Sequence, residues 1–423
     1  MNKKDRILDL LRQGVISNEE AIELLENLSE VDKKDVAEED KIEEDIFKNF
    51  DPELHFSKTF EDDEEEIKDN ENVKDKQKKL DENMEDLNGF MKGIFEKSMG
   101  FVSDVRDKVD ENFEWTGGQL RLKTQKKSDH KRFIEDTRVV NIESIAGDVK
   151  IAKTQEAFVS LDLDYEAFGV DDIDKFISEN MLITQESGIL NIVNKSKKLS
   201  AEMKLNLPEK MYDSISVKLI TGNLDLSNID VDYMKTSQIS GSLNTDFLRA
   251  KTAEFLNKHG MMKFNQVDVE DMTVENFNGE ISISSIKSKS AKISNKNGLI
   301  KLLGGKIKEL RAENISGDIN IDLGYKDVTA KAVNGTIRLS ASANAKQVSL
   351  TNVNGDIKMS VPANSGLIGH ARTTFGKYQT RLELDNPLDI GKSGAALVRQ
   401  GDHVITFELE SKMGNIWIKD TYI

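Results

Sequence analysis

The sequence predicts a mostly β protein whose C-terminal part is a β-solenoid, that is, a parallel β-helix with rungs of about nineteen residues. Glycines stand nineteen residues apart from Gly222 to Gly317 and continue at Gly335 and Gly355. Apolar residues recur at the second and fourth positions after each glycine, which is the spacing of one face of a strand. Asparagine recurs three positions before it. These three periodic features predict a stack of similar turns and strands.

The two apolar columns predict the inward face of the solenoid. Because alternate residues of a strand point to the same side, each column would bury one side chain per rung. The second position after the glycine holds Leu224, Leu243, Met262, Ile281, Ile300, Ile319, Ile337 and Ile357. The fourth position holds Leu226, Thr245, Phe264, Ile283, Leu302, Ile321, Leu339 and Met359.

The glycine and asparagine columns predict the turns. Stacked asparagines about 4.8 Å apart would hydrogen-bond amide to amide along the solenoid axis. Asn-Gly pairs such as residues 278–279 are also a strong hairpin signal, so a meander of antiparallel hairpins is the alternative. The expected turn and ladder residues are Gly279, Gly298, Gly317, Gly355, Asn276, Asn295, Asn314 and Asn352.

The repeat extends in weaker form to residues 144–151 and 412–418. We therefore assign residues 113–423 to a single β-solenoid repeat domain. A segment at residues 365–394 breaks the period, and we expect it to project as a loop, where solenoids usually carry their binding function.

The N-terminal part predicts two further segments. Residues 1–28 carry apolar stripes at helical spacing on both sides of Gly14, which predicts a small helical hairpin. Residues 29–85 hold 10 basic and 23 acidic residues, so 10 − 23 = −13 of the net charge of −17 lies there. Such a composition predicts a disordered acidic linker. The linker either attracts a cationic peptide or only keeps the chain soluble and extended, and both readings remain open.

Residues 86–112 predict an amphipathic helix whose apolar face includes Phe90, Met91, Ile94 and Phe95. This segment holds six acidic and four basic residues, whereas helices that lie on membranes normally carry Lys and Arg on their polar side. The excess of acidic residues therefore favours a helix that caps the solenoid, or one that binds a partner through Phe90, Met91, Ile94 and Phe95.

The composition excludes several classes of function. The chain has no cysteine, which removes disulfides and thiolate metal sites. Its five histidines are isolated, and the residues that follow the turn glycines include no adjacent carboxylates for acid–base catalysis. No concentrated basic face is present for nucleic acid. We expect no catalytic, cofactor-binding or metal-binding residues, no cofactor and no nucleic-acid partner.

The N-terminal sequence and the hydropathy of the chain predict where in the cell the protein is located. The N-terminus starts with charged residues and lacks the apolar core of a secretory signal, and no stretch reaches about 18 continuous apolar residues. We therefore expect no signal peptide and no transmembrane segment. The expected protein is cytoplasmic or non-classically exported, and it is associated with the cell envelope or surface.

The motifs RILDLL (residues 6–11), GVIS (14–17) and EAIELL (20–25), followed by the Asn-Gly-Asp-Ile repeat of residues 354–357, resemble a known family. This is the LiaX-like family of daptomycin-sensing surface proteins, among the Gram-positive cell-envelope stress proteins. The resemblance covers nearly the whole chain except the acidic linker. It implies an N-terminal region that senses antimicrobial peptides or lipopeptides and a β domain that restrains a membrane-bound signalling system. It carries over no individual functional residue, because the shared residues form turns and core.

The predicted function is a non-enzymatic regulatory or binding protein of the cell-envelope stress response. Its expected partners are a membrane-associated stress-signalling protein and a cationic antimicrobial peptide or lipopeptide. The alternative is an adhesin or structural β-rod that binds cell-wall polymer, which a bare solenoid also permits.

Overall fold

The computed structural model describes residues 113–116, 119–122, 124–385 and 394–421. The predicted helical hairpin, acidic linker and amphipathic helix lie outside these described residues, and so do Phe90, Met91, Ile94 and Phe95. The described part consists almost entirely of β-strands, with one short helix.

The first ten strands and the helix precede the regular repeat. They are β1 (Phe113–Thr116), β2 (Gln119–Leu122), β3 (Thr124–Phe133), β4 (Val139–Ala146), β5 (Val149–Thr154), β6 (Val159–Phe168), α1 (Ile173–Asn180), β7 (Met181–Glu186), β8 (Ile189–Asn194), β9 (Leu199–Pro208) and β10 (Tyr212–Thr221). β1 and β2 form a two-stranded antiparallel sheet of their own. α1 begins after Asp172, whose carboxylate accepts hydrogen bonds from the N–H groups of Asp174 and Lys175.

Six long strands form the regular part of the solenoid, and eight shorter ones complete it. The long strands are β11 (Leu224–Ser240), β12 (Leu243–His259), β13 (Met262–Asn278), β14 (Ile281–Asn297), β15 (Ile300–Ser316) and β16 (Ile319–Asn334). The others are β17 (Ile337–Ser340), β18 (Gln347–Asn354), β19 (Ile357–Pro362), β20 (Gly366–Thr373), β21 (Tyr378–Thr380), β22 (Gly394–Arg399), β23 (Val404–Ser411) and β24 (Ile416–Thr421).

The register of the long strands confirms the β-solenoid. β11 to β16 pair in parallel, each with the next, and residues nineteen apart face each other from β11 to β15, as Ile281 faces Ile300. Antiparallel hairpins at the Asn-Gly pairs would reverse this register. The hairpin meander is therefore wrong for the repeat, because every Asn-Gly turn leads into the next parallel rung.

Each rung turns at a glycine in a conformation that other residues avoid. Gly279 has φ +138°, and an added Cβ would lie 2.0 Å from the carbonyl oxygen of Gly260 in the neighbouring rung. The turn backbones of successive rungs thus approach too closely for any side chain. This explains the glycine period of the sequence.

The predicted apolar columns form the core. Ile281, Ile300 and Ile319 at the second position after the glycine are all 0% exposed. A fully buried isoleucine stabilises the fold by about 1.5–3 kcal/mol relative to an exposed one. Phe255 and Phe264 pack edge to face in the same core, with ring centroids 4.7 Å apart. The core is continuous along the rungs, because each side chain contacts its counterpart in the next rung.

Antiparallel strands close the N-terminal end of the sheet. β4 and β5 form one rung, and β8 and β9 form the rung before it, although they come later in the chain. β7 pairs antiparallel with β8, β6 with β9, and β3 with β6. β3 is an outer strand rich in charged residues, which disfavours edge-to-edge association with another sheet.

The C-terminal end is built out of sequence order. β23 and β24 lie between the rung of β18 and β19 and the rung of β20 and β21. The expectation that residues 365–394 project as a loop is therefore wrong for its strands: β20 and β21 form the end rung, and β22 pairs antiparallel with β20. The reason is burial, because Leu367 and Ala371 cover the core that the rung of β23 and β24 would otherwise expose.

Candidate functional site

The long strands bend at two points, and the site lies along the first bend. In β13 the buried residues step from Phe264 to Val267 and from Val269 to Met272, so the alternation shifts by one residue at each bend. The first bend holds a non-glycine residue with φ between 53° and 62° in four successive rungs. Residues other than glycine rarely adopt a positive φ. These four residues are Asn228, Phe247, Gln266 and Ser285.

β15 differs at this bend because it carries two glycines. Gly304 and Gly305 have φ +66° and +87°, and the register between β15 and β16 shifts between Leu303 and Lys306, which is a β-bulge. An added Cβ at Gly305 would lie 2.0 Å from the carbonyl oxygen of Ile286. The backbones of β14 and β15 therefore approach too closely for a side chain at this point, and the buried apolar column that contains Ile286 is interrupted at Gly305.

An open groove with a volume of about 850 Å³ follows the first bends from β12 to the segment between β17 and β18. One end carries the ring of Phe247, which is 51% exposed, and the lysines lie on β14, β15 and β16. We call this surface the lysine groove. It is defined by Phe247, Ile286, Lys287, Lys306, Lys308 and Lys326.

Charges alternate along an outward column beside the groove until Lys306. Asp230 pairs with Arg249 at 3.2 Å, and Asp268 pairs with Lys287 at 2.8 Å, in each case with the neighbour in the next rung. Lys306 then stands in register with Lys287. Among the described residues, no carboxylate forms an ion pair with Lys306. Like charges that face each other on neighbouring strands destabilise a sheet. Because the one carboxylate of Asp268 serves Lys287, the charge of Lys306 is left without a counterion on the described strands here.

The other two lysines of the groove, Lys308 and Lys326, form only solvent-exposed ion pairs. Lys308 pairs with Glu309 at 3.0 Å and Lys326 with Asp327 at 3.2 Å, and both lysine side chains are 41% exposed or more. Ion pairs this exposed contribute about 0–1 kcal/mol. An anion that enters the groove can therefore replace these carboxylates at little cost.

The floor of the groove is apolar apart from one hydroxyl. Ile307 and Tyr325 face each other in register and are 1% and 2% exposed. The Tyr325 hydroxyl has no hydrogen-bond partner among the described residues, and burial raises the pKa of Tyr325 above its ordinary value. The phenol therefore stays neutral, and its O–H is an unused donor. Leaving such a donor unpaired costs about 1–3 kcal/mol.

The expected asparagine ladder has different hydrogen bonds from those expected. The register aligns Asn276 with Asn295 and Asn295 with Asn314. Each amide nitrogen donates to the turn glycine of the preceding rung, and Asn295 Nδ2 lies 2.8 Å from Gly279 O. The Oδ1 atoms of these asparagines accept no hydrogen bond from any residue that the structure describes. Amide–amide bonds do not form because the turn carbonyl faces the column and offers a nearer acceptor.

The other asparagine and glycines that the sequence assigned to the turns also lie in turns. Asn352 donates to the carbonyl of Gly335 at 2.7 Å, and Gly355 turns with φ +143°. Gly298 and Gly317 turn with φ +128° and +123°. All of these residues shape the turns and lie away from the lysine groove.

Two further findings concern the described residues as a whole. Within residues 124–385 and 394–421, no three His, Asp or Glu side chains are placed to hold a metal ion together. The described helix is neither long nor apolar enough to span a membrane.

The lysine groove is absent from the sequence predictions, although a signal for it exists. Lys287 and Lys306 both stand eight residues after their turn glycine, and Gly304 and Gly305 precede Lys306 directly. Comparing the outward positions of successive rungs would have shown two lysines in register beside a double glycine.

The family model for Toastrack DUF4097 matches residues 181–419, which is more than half of the chain. The chain belongs to the Toastrack DUF4097 family. The matched region includes β11 to β16 and therefore the whole lysine groove. No curated protein matches this Toastrack chain in sequence.

Comparison with solved structures gives matches of low sequence identity and low structural similarity. A protein from Parabacteroides merdae ATCC 43184, provisionally assigned as an adhesin, has 11% identity and a TM-score of 0.38, and the match covers 70% of this chain and 97% of that one. A second, from Parabacteroides distasonis ATCC 8503, has 11% identity, a TM-score of 0.37 and the same coverage. A third, from the same strain and provisionally assigned as lipid-binding, has 12% identity, a TM-score of 0.34 and the same coverage. These values are too low to transfer any property to this chain.

Proposed function

We propose that this Toastrack chain is a non-enzymatic binding protein that regulates the cell-envelope stress response. In this proposal the lysine groove binds a ligand or partner, and the N-terminal part senses a cationic antimicrobial peptide or lipopeptide. The observation that carries the proposal is the groove itself, an open surface of about 850 Å³ with four lysines, of which Lys306 forms no ion pair with a described residue. Concave surfaces that combine charged groups with apolar residues are where proteins preferentially bind ligands.

The charge of the N-terminal part supports the sensing role. Residues 29–85 carry a net charge of 10 − 23 = −13, which attracts cationic peptides and speeds their encounter. A tether between two modules lets one release its partner while the other stays bound. The signalling partner in this proposal is membrane-associated, and the protein acts at the cell envelope.

The regulatory role is tested in cells that carry the full chain and a reporter of envelope stress. We expect the double variant Lys287→Glu, Lys306→Glu to change the reporter response to a cationic antimicrobial peptide. The matched control is Lys263→Glu, Lys292→Glu, which reverses two exposed lysines away from the groove. A reporter response that is the same in the wild type and in the groove variant contradicts the proposal.

An adhesin that binds cell-wall polymer is the second candidate. Its support is that the groove lysines lie on three successive rungs, which also suits an extended anionic polymer. Sedimentation of the full chain with purified cell wall separates the two functions. Loss of cell-wall binding in the groove variant, with a normal reporter response, favours the adhesin.

A further inference from the structure

The lysine groove carries its lysines at one end, whereas the other end is lined by the exposed Phe247 ring together with Gln266, Val267 and Asp268. Lys287, Lys306, Lys308 and Lys326 lie on three consecutive rungs, whereas the Phe247 end has no lysine in its lining. A ligand that fits therefore carries its anionic group at the lysine end, because the Asp268 carboxylate disfavours an anion toward Phe247, where the exposed ring offers an apolar contact. This pattern is that of an anionic amphiphile, and a uniformly charged polymer would leave the Phe247 end without a matching group.

The dimensions of the groove agree with one lipid chain. Lys306 and Phe247 lie on strands separated by three rung steps, which at about 4.8 Å each gives about 14 Å. The hydrocarbon layer of one membrane leaflet is about 15 Å thick, half of the bilayer core. An acyl chain whose headgroup contacts Lys306 therefore reaches the ring of Phe247.

Phe247 combines a strained backbone conformation with an exposed aromatic ring, and neither feature stabilises the fold. Its φ is +55°, where bulky residues are outliers, and its side chain is 51% exposed. The equivalent bend residues, Asn228, Gln266 and Ser285, are polar. An aromatic ring that combines backbone strain with exposed apolar surface is explained if it contacts a ligand.

Positive charge selects an anion at the other end. Lys306 has no ion pair with a described residue and stands beside Lys287. Gly305, which precedes Lys306 directly, lines this end and adds no side chain to it. Tyr325 lies beneath the same end, and its hydroxyl is buried in the core, so the lysines are the groups there that can contact an anion.

We infer that the lysine groove binds one anionic phospholipid, with its headgroup on Lys306 and Lys287 and one acyl chain along the floor toward Phe247. This inference rests on the proposed binding role of the groove and names its ligand. Binding of a lipid here gives the β domain a direct contact with the anionic leaflet. No covalent step is involved.

The first experiment is native mass spectrometry of the full chain after incubation with vesicles. We expect a one-to-one complex from vesicles of equal parts phosphatidylglycerol and phosphatidylcholine, and none from phosphatidylcholine alone. Soluble glycerol phosphate supplies the same headgroup chemistry without an acyl chain, and it should not compete. Competition by glycerol phosphate at equal concentration would show a simple phosphate site and would overturn the inference.

The second experiment compares variants in vesicle flotation. Lys306→Ala should bind phosphatidylglycerol vesicles about five-fold more weakly, since each lysine near an anionic surface contributes about 1 kcal/mol. Phe247→Asn keeps a residue that tolerates positive φ and should weaken binding by a similar factor through lost apolar contact. Lys292→Ala, on β14 outside the groove, is the matched control and should bind like the wild type.

The outcomes separate this inference from the proposed function. If Lys306→Ala and Lys292→Ala bind lipid equally, the groove is not a lipid site and the inference fails. If the groove variants then still alter the stress reporter, the regulatory role stands with a different ligand, such as an acidic protein. If they alter neither lipid binding nor the reporter, both proposals fail.

Discussion

The buried asparagine column gives the sharpest test of the fold, and Asn295→Ala is the perturbation. Asn295 is 1% exposed, and its Nδ2 donates to Gly279 O at 2.8 Å. The alanine variant leaves that carbonyl buried without this donor, which costs about 1–3 kcal/mol. It also removes Oδ1, which already lacks a partner, and this recovers part of the loss. We expect a net decrease of about 1–2 kcal/mol in the free energy of unfolding.

The chain contains the reverse case at Ala332. This residue interrupts the column between Asn314 and Asn352, with which it is in register, and it is 4% exposed. The shorter spacing of that rung arises at the bulge in β15, so the backbone near Ala332 keeps the geometry of the other turns. Ala332→Asn should place an amide against the carbonyl of Gly317 and raise the free energy of unfolding by about 0.5–1.5 kcal/mol.

Urea unfolding of the full chain, followed by circular dichroism, measures both changes. The matched control is Asn297→Ala, because Asn297 is exposed and donates only to Asn278 Oδ1 at 2.8 Å on the surface. Its loss should change stability by less than about 0.5 kcal/mol. If Asn295→Ala and Asn297→Ala unfold at the same urea concentration, the bond to the turn carbonyl contributes nothing and the reasoning is refuted.

Three further predictions use the same measurement. Ile319→Asp places an unpaired carboxylate at a site that is 0% exposed and should cost about 4 kcal/mol or more. Partial burial raises the pKa of Asp318, but hydrogen bonds and charge from Arg338 outweigh it and lower the pKa. The stabilisation from Asp318 should therefore be present above about pH 4 and lost as the pH falls through the folded pKa, and Asp318→Asn should flatten this pH dependence while costing about 1 kcal/mol. Gly305→Ala should destabilise by more than about 2 kcal/mol through the 2.0 Å clash, whereas Gly304→Ala would place its Cβ in ordinary contact with Ser285 N at 3.8 Å and should cost about 1 kcal/mol through its positive φ. Equal unfolding midpoints for the two alanine variants would contradict the bulge geometry.

Much of the repeat was predictable because its rules are local. The nineteen-residue glycine period and the apolar residues two and four positions later follow from the geometry of a single strand and turn. Each rung repeats that geometry, so Ile281, Ile300 and Ile319 could be assigned to the core without knowledge of distant contacts. The parallel register remained open, since Asn-Gly pairs also suit hairpins.

The candidate site was less predictable, because it depends on contacts between rungs and not on any one of them. Lys306 becomes an unneutralised charge only when Lys287 occupies the register position where the preceding pairs have an acid. Within the groove, the bulge beside Gly305 changes the register between β15 and β16, which no single rung of the sequence reveals. The asparagine amides could be placed in a column, but their partner depends on which carbonyl the turn presents.

The sequence by itself determined the repeat, its turns and its inward columns, because these follow from residues a few positions apart. Only the tertiary structure decided that the asparagines donate hydrogen bonds to turn carbonyls and that the lysines border a groove. It also decided that β23 and β24 lie between the rung of β18 and β19 and the end rung of β20 and β21. The physical reason is that burial at the ends of the sheet and register between rungs join residues far apart in the chain. For β20 and β23, pairing covers a core edge that would otherwise meet water, and no local pattern specifies which later segment covers it.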